Sequence, residues 1–207
     1  DNIILLDAQS PQFEVTNISG EHTMKATEIL MDEHRVIEKV LGVLERAATL
    51  AENGEPLRPG VFLDAADFIR DFADGCHHHK EEGVLFGAMV DAGVPQDGGP
   101  IAVMLAEHEQ ARQYTGAMRE AAEQWASGND EARSRAARAA RDYAALLRQH
   151  IAKEDQVLFP LADRVIPAAK HEQLTQAFSD VESKDVHAGA HAKYVALADS
   201  LVQELEG

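Results

Sequence analysis

Apolar residues recur at three- and four-residue spacing over four long stretches of the chain, the pattern of helices that each bury one face. In the first stretch Leu30, His34, Ile37, Leu41 and Leu44 share a stripe. In the second, Ile69, Ala73, His77, Glu81 and Leu85 do so, with Phe72, Cys76 and Val84 alongside. Met104, Leu105, His108 and Ala111 mark the third stripe, and Tyr143, Leu147, His150, Glu154 and Leu158 the fourth. Glycine and proline punctuate the chain at Asn53-Gly54, Pro56 to Gly60, Gly93 to Pro100 and Ser127 to Asp130. The pattern predicts helices at about 24–52, 60–91, 100–127 and 130–166, whose short connections suit an antiparallel up-down four-helix bundle. Pro160 predicts a kink or an end late in the fourth helix.

Beyond Pro167, a shorter helix to about Asp180 and another through His187 to Leu205 are polar enough to lie on the outside of the bundle. Residues 1–23 lack helical periodicity, and Gln12 to Thr16 alternates weakly, as in an extended arm. The expected fold is therefore all-α: an arm over 1–23, a bundle over 24–167 and a C-terminal helical extension over 168–207.

Composition narrows the function classes. With 19 Lys and Arg against 36 Asp and Glu, the formal charge of -17 repels nucleic-acid phosphate and anionic membrane surfaces at long range. The longest run of Ile, Leu and Val, Ile3 to Leu6, is far short of the roughly 20 apolar residues that a membrane span needs. Neither a nucleic acid nor a membrane is expected as partner. Cys76 is the single cysteine, so no internal disulfide forms, and a reducing cytoplasm is the expected compartment.

The chain repeats itself. At an offset of 73, His77-His78-His79-Lys80-Glu81-Glu82-Gly83-Val84-Leu85-Phe86 aligns with His150-Ile151-Ala152-Lys153-Glu154-Asp155-Gln156-Val157-Leu158-Phe159, both reading His-x-x-Lys-Glu-x-x-Val-Leu-Phe. At nearly the same offset, Glu33-His34 aligns with Glu107-His108 one helix earlier. Two hairpins related by a pseudo-twofold axis would bring all four motif sites to one depth of the bundle. Four helices then each aim one histidine inward, and two add a glutamate one turn later. Burying four imidazoles and two carboxylates costs several kcal/mol per charge unless they pair or bind metal, so a cation is the simplest explanation.

This donor set, His34, His77, Glu81, His108, His150 and Glu154, has no thiolate and is borderline-hard. Two facing carboxylates can each bridge two cations, giving each ion two imidazoles and two bridging oxygens. A bridging oxo or hydroxo group brings each to five ligands and leaves a position open, which ranks two iron ions first, then manganese, then zinc. Ferritin-like di-iron bundles use Glu-x-x-His, a tetrapeptide absent from this chain, whereas the spacing here is His-x-x-x-Glu.

The pattern His34, His77-x-x-x-Glu81, His108, His150-x-x-x-Glu154 resembles the hemerythrin-like, HHE cation-binding family over about residues 24–166. The stretches Lys25 to Leu41, Cys76 to Phe86 and Gly99 to Arg112 are similar to the longer bacterial members, whose C-terminal helices look like His171 to Leu205. The resemblance implies a non-haem di-iron site that binds or senses dioxygen, handles peroxide or nitric oxide, or manages iron. Its ligands would be the six residues named, with Glu81 and Glu154 as bridges. A di-iron redox enzyme (peroxidase, oxidase or nitric oxide scavenger) and an iron-delivery protein related to iron-sulfur cluster repair are the alternatives. The oxygen-carrying hemerythrins have a fifth histidine one turn after the helix-three ligand, where this chain has Arg112. Fewer imidazoles suit sensing or oxidative chemistry better than transport.

The remaining polar candidates take ordinary roles. An α-helical phase puts His78 and Glu82 with Asp71 and Asp74 on the wet side, so His78 is not counted as a ligand. Glu33 and Glu107 are placed at the bundle edge, His187 and His191 on a surface helix, and Cys76, Tyr114 and Tyr143 in the packing.

Overall fold

A computed structural model describes residues 24–184 and 190–206. The arm over 1–23 and His187 lie outside the described residues, as does the side chain of His191. The regular structure among the described residues is all helical, and its first four helical runs are α1 (Ala26–Glu52), α2 (60–91), α3 (Pro100–Ala126) and α4 (132–165). After Pro167 come α5 (Ala168–Lys184) and α6 (Ala190–Glu206). None of these helices is long and apolar enough to cross a membrane.

Local chemistry sets the boundaries. The Glu28 carboxylate accepts a 2.7 Å hydrogen bond from the Lys25 backbone N–H and caps the start of α1. Gly93 and Gly128 take φ of +96°, and each turns the chain so that the next N–H reaches a carbonyl left open by the preceding helix: Val94 N to Met89 O at 3.0 Å, Asn129 N to Gln124 O at 3.1 Å. Pro100 occupies the first turn of α3, where its missing N–H costs nothing. Ile166 is extended before Pro167, which ends α4.

Helices α1 to α4 pack as a ring, each against its two neighbours. Their apolar stripes form two separate clusters. One holds Ile37, Leu41, Leu44, Phe62, Phe72, Met118, Trp125 and Tyr143 and extends onto α6 through Tyr194, Ala198 and Leu201. The other holds Leu30, Leu85, Phe86, Met104, Leu158 and Phe159 and extends onto α5 through Leu174 and Phe178. Between the clusters, the bundle is filled with buried polar groups: Glu33, His34, His77, His78, Lys80, Glu81, His108, His150 and Glu154.

Two of the four bundle helices are not α-helical throughout. In α2 the bonding widens to i→i+5 over Ile69–His78 and again over Glu81–Leu85, and in α4 over Glu154–Leu158. The second and third widenings fall on the same position of the repeat: Phe86 N–H donates to Glu81 O, and Phe159 N–H donates to Glu154 O. Such π turns often mark functional positions. Pro160 follows the wide turn directly, and α4 runs on through it to Val165.

Candidate metal centre

The six residues marked by the repeat all reach the polar layer, and the layer divides into two groups of donors. One donor atom from each of His34, His77, Glu81 and Glu154 lies within 4.8 Å of the others, and the same holds for His78, Glu81, His108 and His150. Glu81 belongs to both groups: Oε1 lies 3.7 Å from His77 Nε2, and Oε2 lies 3.5 Å from His108 Nε2. Glu154 also spans them, with Oε2 3.2 Å from Nε2 of both His34 and His150.

His78 corrects the sequence expectation. It is 2% exposed, stacks on His108 with ring centroids 3.8 Å apart, and lines the second donor group. The cause is the π segment of α2: i→i+5 bonding sets His77 over Phe72 and His78 over Ala73, both core residues, so consecutive histidines point inward. A phase count at 100° per residue cannot see this. The layer therefore holds five imidazoles, not four, and the expectation of fewer imidazoles fails. The fifth comes from α2, while Arg112 stands outside and bonds Glu82 and Asp74.

Each of the five rings has Nδ1 against a carboxylate oxygen. The pairs are His34 with Asp155 (2.7 Å), His77 with Glu33 (2.9 Å), His78 with Asp74 (3.3 Å), His108 with Glu82 (2.7 Å) and His150 with Glu107 (2.9 Å). A carboxylate acceptor draws the ring proton to Nδ1 and leaves the Nε2 lone pair facing the centre, the orientation that metal-ligating histidines adopt.

Four of the five carboxylates sit in matching places in the two halves. Glu33 and Glu107 each precede a candidate ligand and hold a histidine of the next helix, while Glu82 and Asp155 each follow a candidate bridge. A basic side chain backs each one: Lys80 on Glu33, Lys153 on Glu107, Arg112 on Glu82 and Arg35 on Asp155. Glu33 is thus not at the bundle edge. It is 3% exposed and joins His77 to Lys80, whereas Glu107, on the matching pair, keeps partial contact with solvent.

Fit to a cation can be judged from what is left unpaired. Both oxygens of Glu81, both oxygens of Glu154, and Nε2 of His34 and of His78 are shut from solvent with no hydrogen-bond partner. Orphaned buried oxygens cost several kcal/mol unless a cation collects them. Burial and the nearby Glu154 push the Glu81 carboxyl well above its usual range. Glu154 is held well below its own, because His150 and His34 outweigh the burial that opposes its charge. Burial lowers His77 to about 4 in spite of Glu33. At His150 burial works downward too, but Glu154 and Glu107 prevail and lift it to about 9. The residues fit a pair of N/O-ligated cations: two mixed donor groups, two carboxylates reaching across both, and no thiolate.

A third cluster, Glu33, Cys76 and Glu182, is served by the chain itself. The buried Lys80 ammonium bonds Glu33 and lies 2.5 Å from Glu182 Oε1. Burial pushes the Cys76 thiol up to about 11, so it remains an unreactive thiol.

Uncharacterized proteins of Mycobacterium bovis and Mycobacterium tuberculosis are each 26% identical to this chain over 169 residues, 82% of its length. The chain spans 66% of the length of these relatives. No solved structure shows a significant match. The family model for the hemerythrin HHE cation-binding domain matches residues 25–162, from the cap of α1 to the last turns of α4, and takes in the whole layer of histidines and carboxylates: the chain belongs to that family.

Proposed function

We propose that the chain is a non-haem di-iron protein that binds dioxygen or a related small oxidant, nitric oxide or peroxide, for sensing, storage or stress response. The observation that carries the proposal is the sharing of Glu81 by two four-residue donor groups, with Glu154 spanning the same gap. In this assignment His34 and His77 would hold one ion and His78, His108 and His150 the other, with Glu81 and Glu154 available to both. The His34–His77 group offers fewer imidazoles than the other, which would favour an exogenous ligand there. When bound, the iron pair supplies the redox and ligand-binding chemistry.

The residues around it do the rest. Carboxylates at Nδ1 fix the ring orientations and raise ligand basicity. The two apolar clusters above and below the layer exclude water and keep the local dielectric low. Manganese and zinc are the lesser candidates.

Metal analysis by mass spectrometry, with an optical spectrum of the same air-exposed sample, tests this. About two irons per chain and near-ultraviolet absorption that vanishes in the His77→Ala, His150→Ala double variant support the proposal. One zinc, or no metal, unchanged in that variant, overturns it.

A further inference from the structure

A cleft of about 220 Å3 opens between α2, α3 and α4 on the side of the metal layer where His78 lies. Ile69, His78, Ala111, Thr115, Gly116 and Tyr143 are among the residues that line it. Three features identify what it takes.

Size comes first. A cavity of about 150 Å3 accommodates benzene. A substituted six-membered ring therefore fits here.

Charge comes next. Arg70, Arg112 and Arg119 ring the cleft, but each is spoken for. Arg70 bonds Asp71 at 2.6 Å and Asp67 at 2.9 Å, Arg112 bonds Asp74 at 2.8 Å and Glu82 at 2.7 Å, and Arg119 bonds Asp67. Three cations against four carboxylates leave no positive field to draw in an anion.

The third feature is an unused donor. Tyr143 is 0% exposed, and its hydroxyl has no hydrogen-bond partner. Thr115, the other hydroxyl on the wall, already donates to Ala111 O at 2.9 Å. Burial and the neighbouring Asp74 push the Tyr143 hydroxyl far above its usual range, so it keeps its proton and remains a donor. A buried hydroxyl left unpaired on an apolar wall is costly unless something that enters satisfies it.

We infer that this cleft binds a small, uncharged molecule with an apolar body and one oxygen acceptor, which takes its hydrogen bond from Tyr143 and rests against the His78 edge of the metal layer. Delivery to the metals rests on the assignment of His78 as a ligand; binding in the cleft does not.

Fluorine NMR of the metal-loaded chain titrated with para-fluoroacetophenone tests the inference, with para-fluorobenzoate as the charged counterpart of similar size. Saturable broadening by the ketone and none by the benzoate is expected. Tyr143→Phe should weaken ketone binding roughly three- to tenfold with metal content unchanged, the loss of one hydrogen bond. Gly116→Leu should abolish it: a Cβ there meets no atom within 4 Å, so the larger side chain fills the opening without disturbing the helix. Circular dichroism confirms that both variants fold.

Absent ketone binding, or binding untouched by both variants, overturns the inference. Tighter binding of benzoate than of ketone overturns the uncharged class and assigns the arginines to an anion. Metal content, measured on the same samples, separates this from the proposed function. A chain that binds the ketone but carries no metal sinks the di-iron assignment and leaves the cleft standing, whereas two metals without ketone binding does the reverse.

Discussion

His108 and His150 meet with their Nε2 atoms 3.0 Å apart, while the Nδ1 of each is already engaged by Glu82 or Glu107. Two neutral rings with their protons on Nδ1 would bring two lone pairs together at that distance. The contact is therefore stable only with a positive charge between the rings, either a proton or a metal ion. The lift of His150 to about 9 shows how strongly the surrounding carboxylates favour one.

Loading metal must displace those protons. Burial and Glu154 at Glu81, and carboxylates that overcome burial at His34 and His150, all favour the protonated forms. His150, lifted to about 9, should release about one proton per chain on loading near neutral pH, and that release should fall as pH passes about 9. The sign for the metal-free chain follows from linkage: a folded His150 pKa above its unfolded value of about 6.5 gives stability fully present below that value and lost as pH rises through about 9. Calorimetric titration in buffers of different ionisation enthalpy reads the protons, and melting curves from pH 6 to 10 read the stability. A metal-free chain equally stable across that range would refute the linkage.

His78 separates the structural assignment from the phase argument made on sequence. Its removal in His78→Ala should take one imidazole from the His108–His150 ion and leave the His34–His77 group whole. Metal analysis is expected to fall from about two ions per chain toward one. A solvent-facing histidine would leave the count unchanged.

The two outcomes for neighbours on one helix show what a sequence can reveal here. The positions of the four bundle helices, the inward stripe and the burial of the six histidines and glutamates were legible, because the repeat His-x-x-Lys-Glu-x-x-Val-Leu-Phe marks equivalent places and the three-and-four spacing marks the inner face. His78 was not legible: its direction depends on i→i+5 bonding over Ile69–His78, and that is decided by tertiary packing. Glu33 was misplaced for a related reason. It stands one residue off the apolar stripe, and His77 and Lys80, both buried on the facing helix, draw it inward. The Lys in the repeat was the available signal, since it recurs at Lys153 beside Glu107.

Lys80 joins the C-terminal extension to the metal layer. It bonds Glu33, which orients His77, and Glu182 of α5, with the Phe178 ring 5.8 Å from its ammonium. Lys80→Met leaves Glu33 as a buried, unbalanced charge, which should cost about 3 kcal/mol or more and weaken metal binding roughly 10- to 100-fold. Glu182 is substantially exposed, so Glu182→Gln should cost less than about 1 kcal/mol. Denaturant melts and competitive metal titration of the two variants test this ordering, and equal effects would show that the linkage runs mainly through α5.

Further along the same α1–α2 face, α6 is fastened by Tyr194, whose hydroxyl donates to the Asp71 carboxylate and whose ring lies edge-on to Phe68 at 6.3 Å. Burial first, and then the bond to Asp71, push the Tyr194 hydroxyl up to about 12. The folded state therefore favours the protonated phenol. The stability it supplies is complete below the unfolded pKa of about 10 and is lost as pH rises through about 12. Tyr194→Phe removes the titrating group and one hydrogen bond, at about 1 kcal/mol, because Asp71 keeps Arg70 as a partner. Phenolate absorbance followed alongside helicity should show α6 loosening between pH 10 and 12 in the parent chain. In the variant that step should be missing, with the bundle core around Phe62 and Trp125 intact in both; an identical alkaline transition in the two proteins would place the fastening elsewhere.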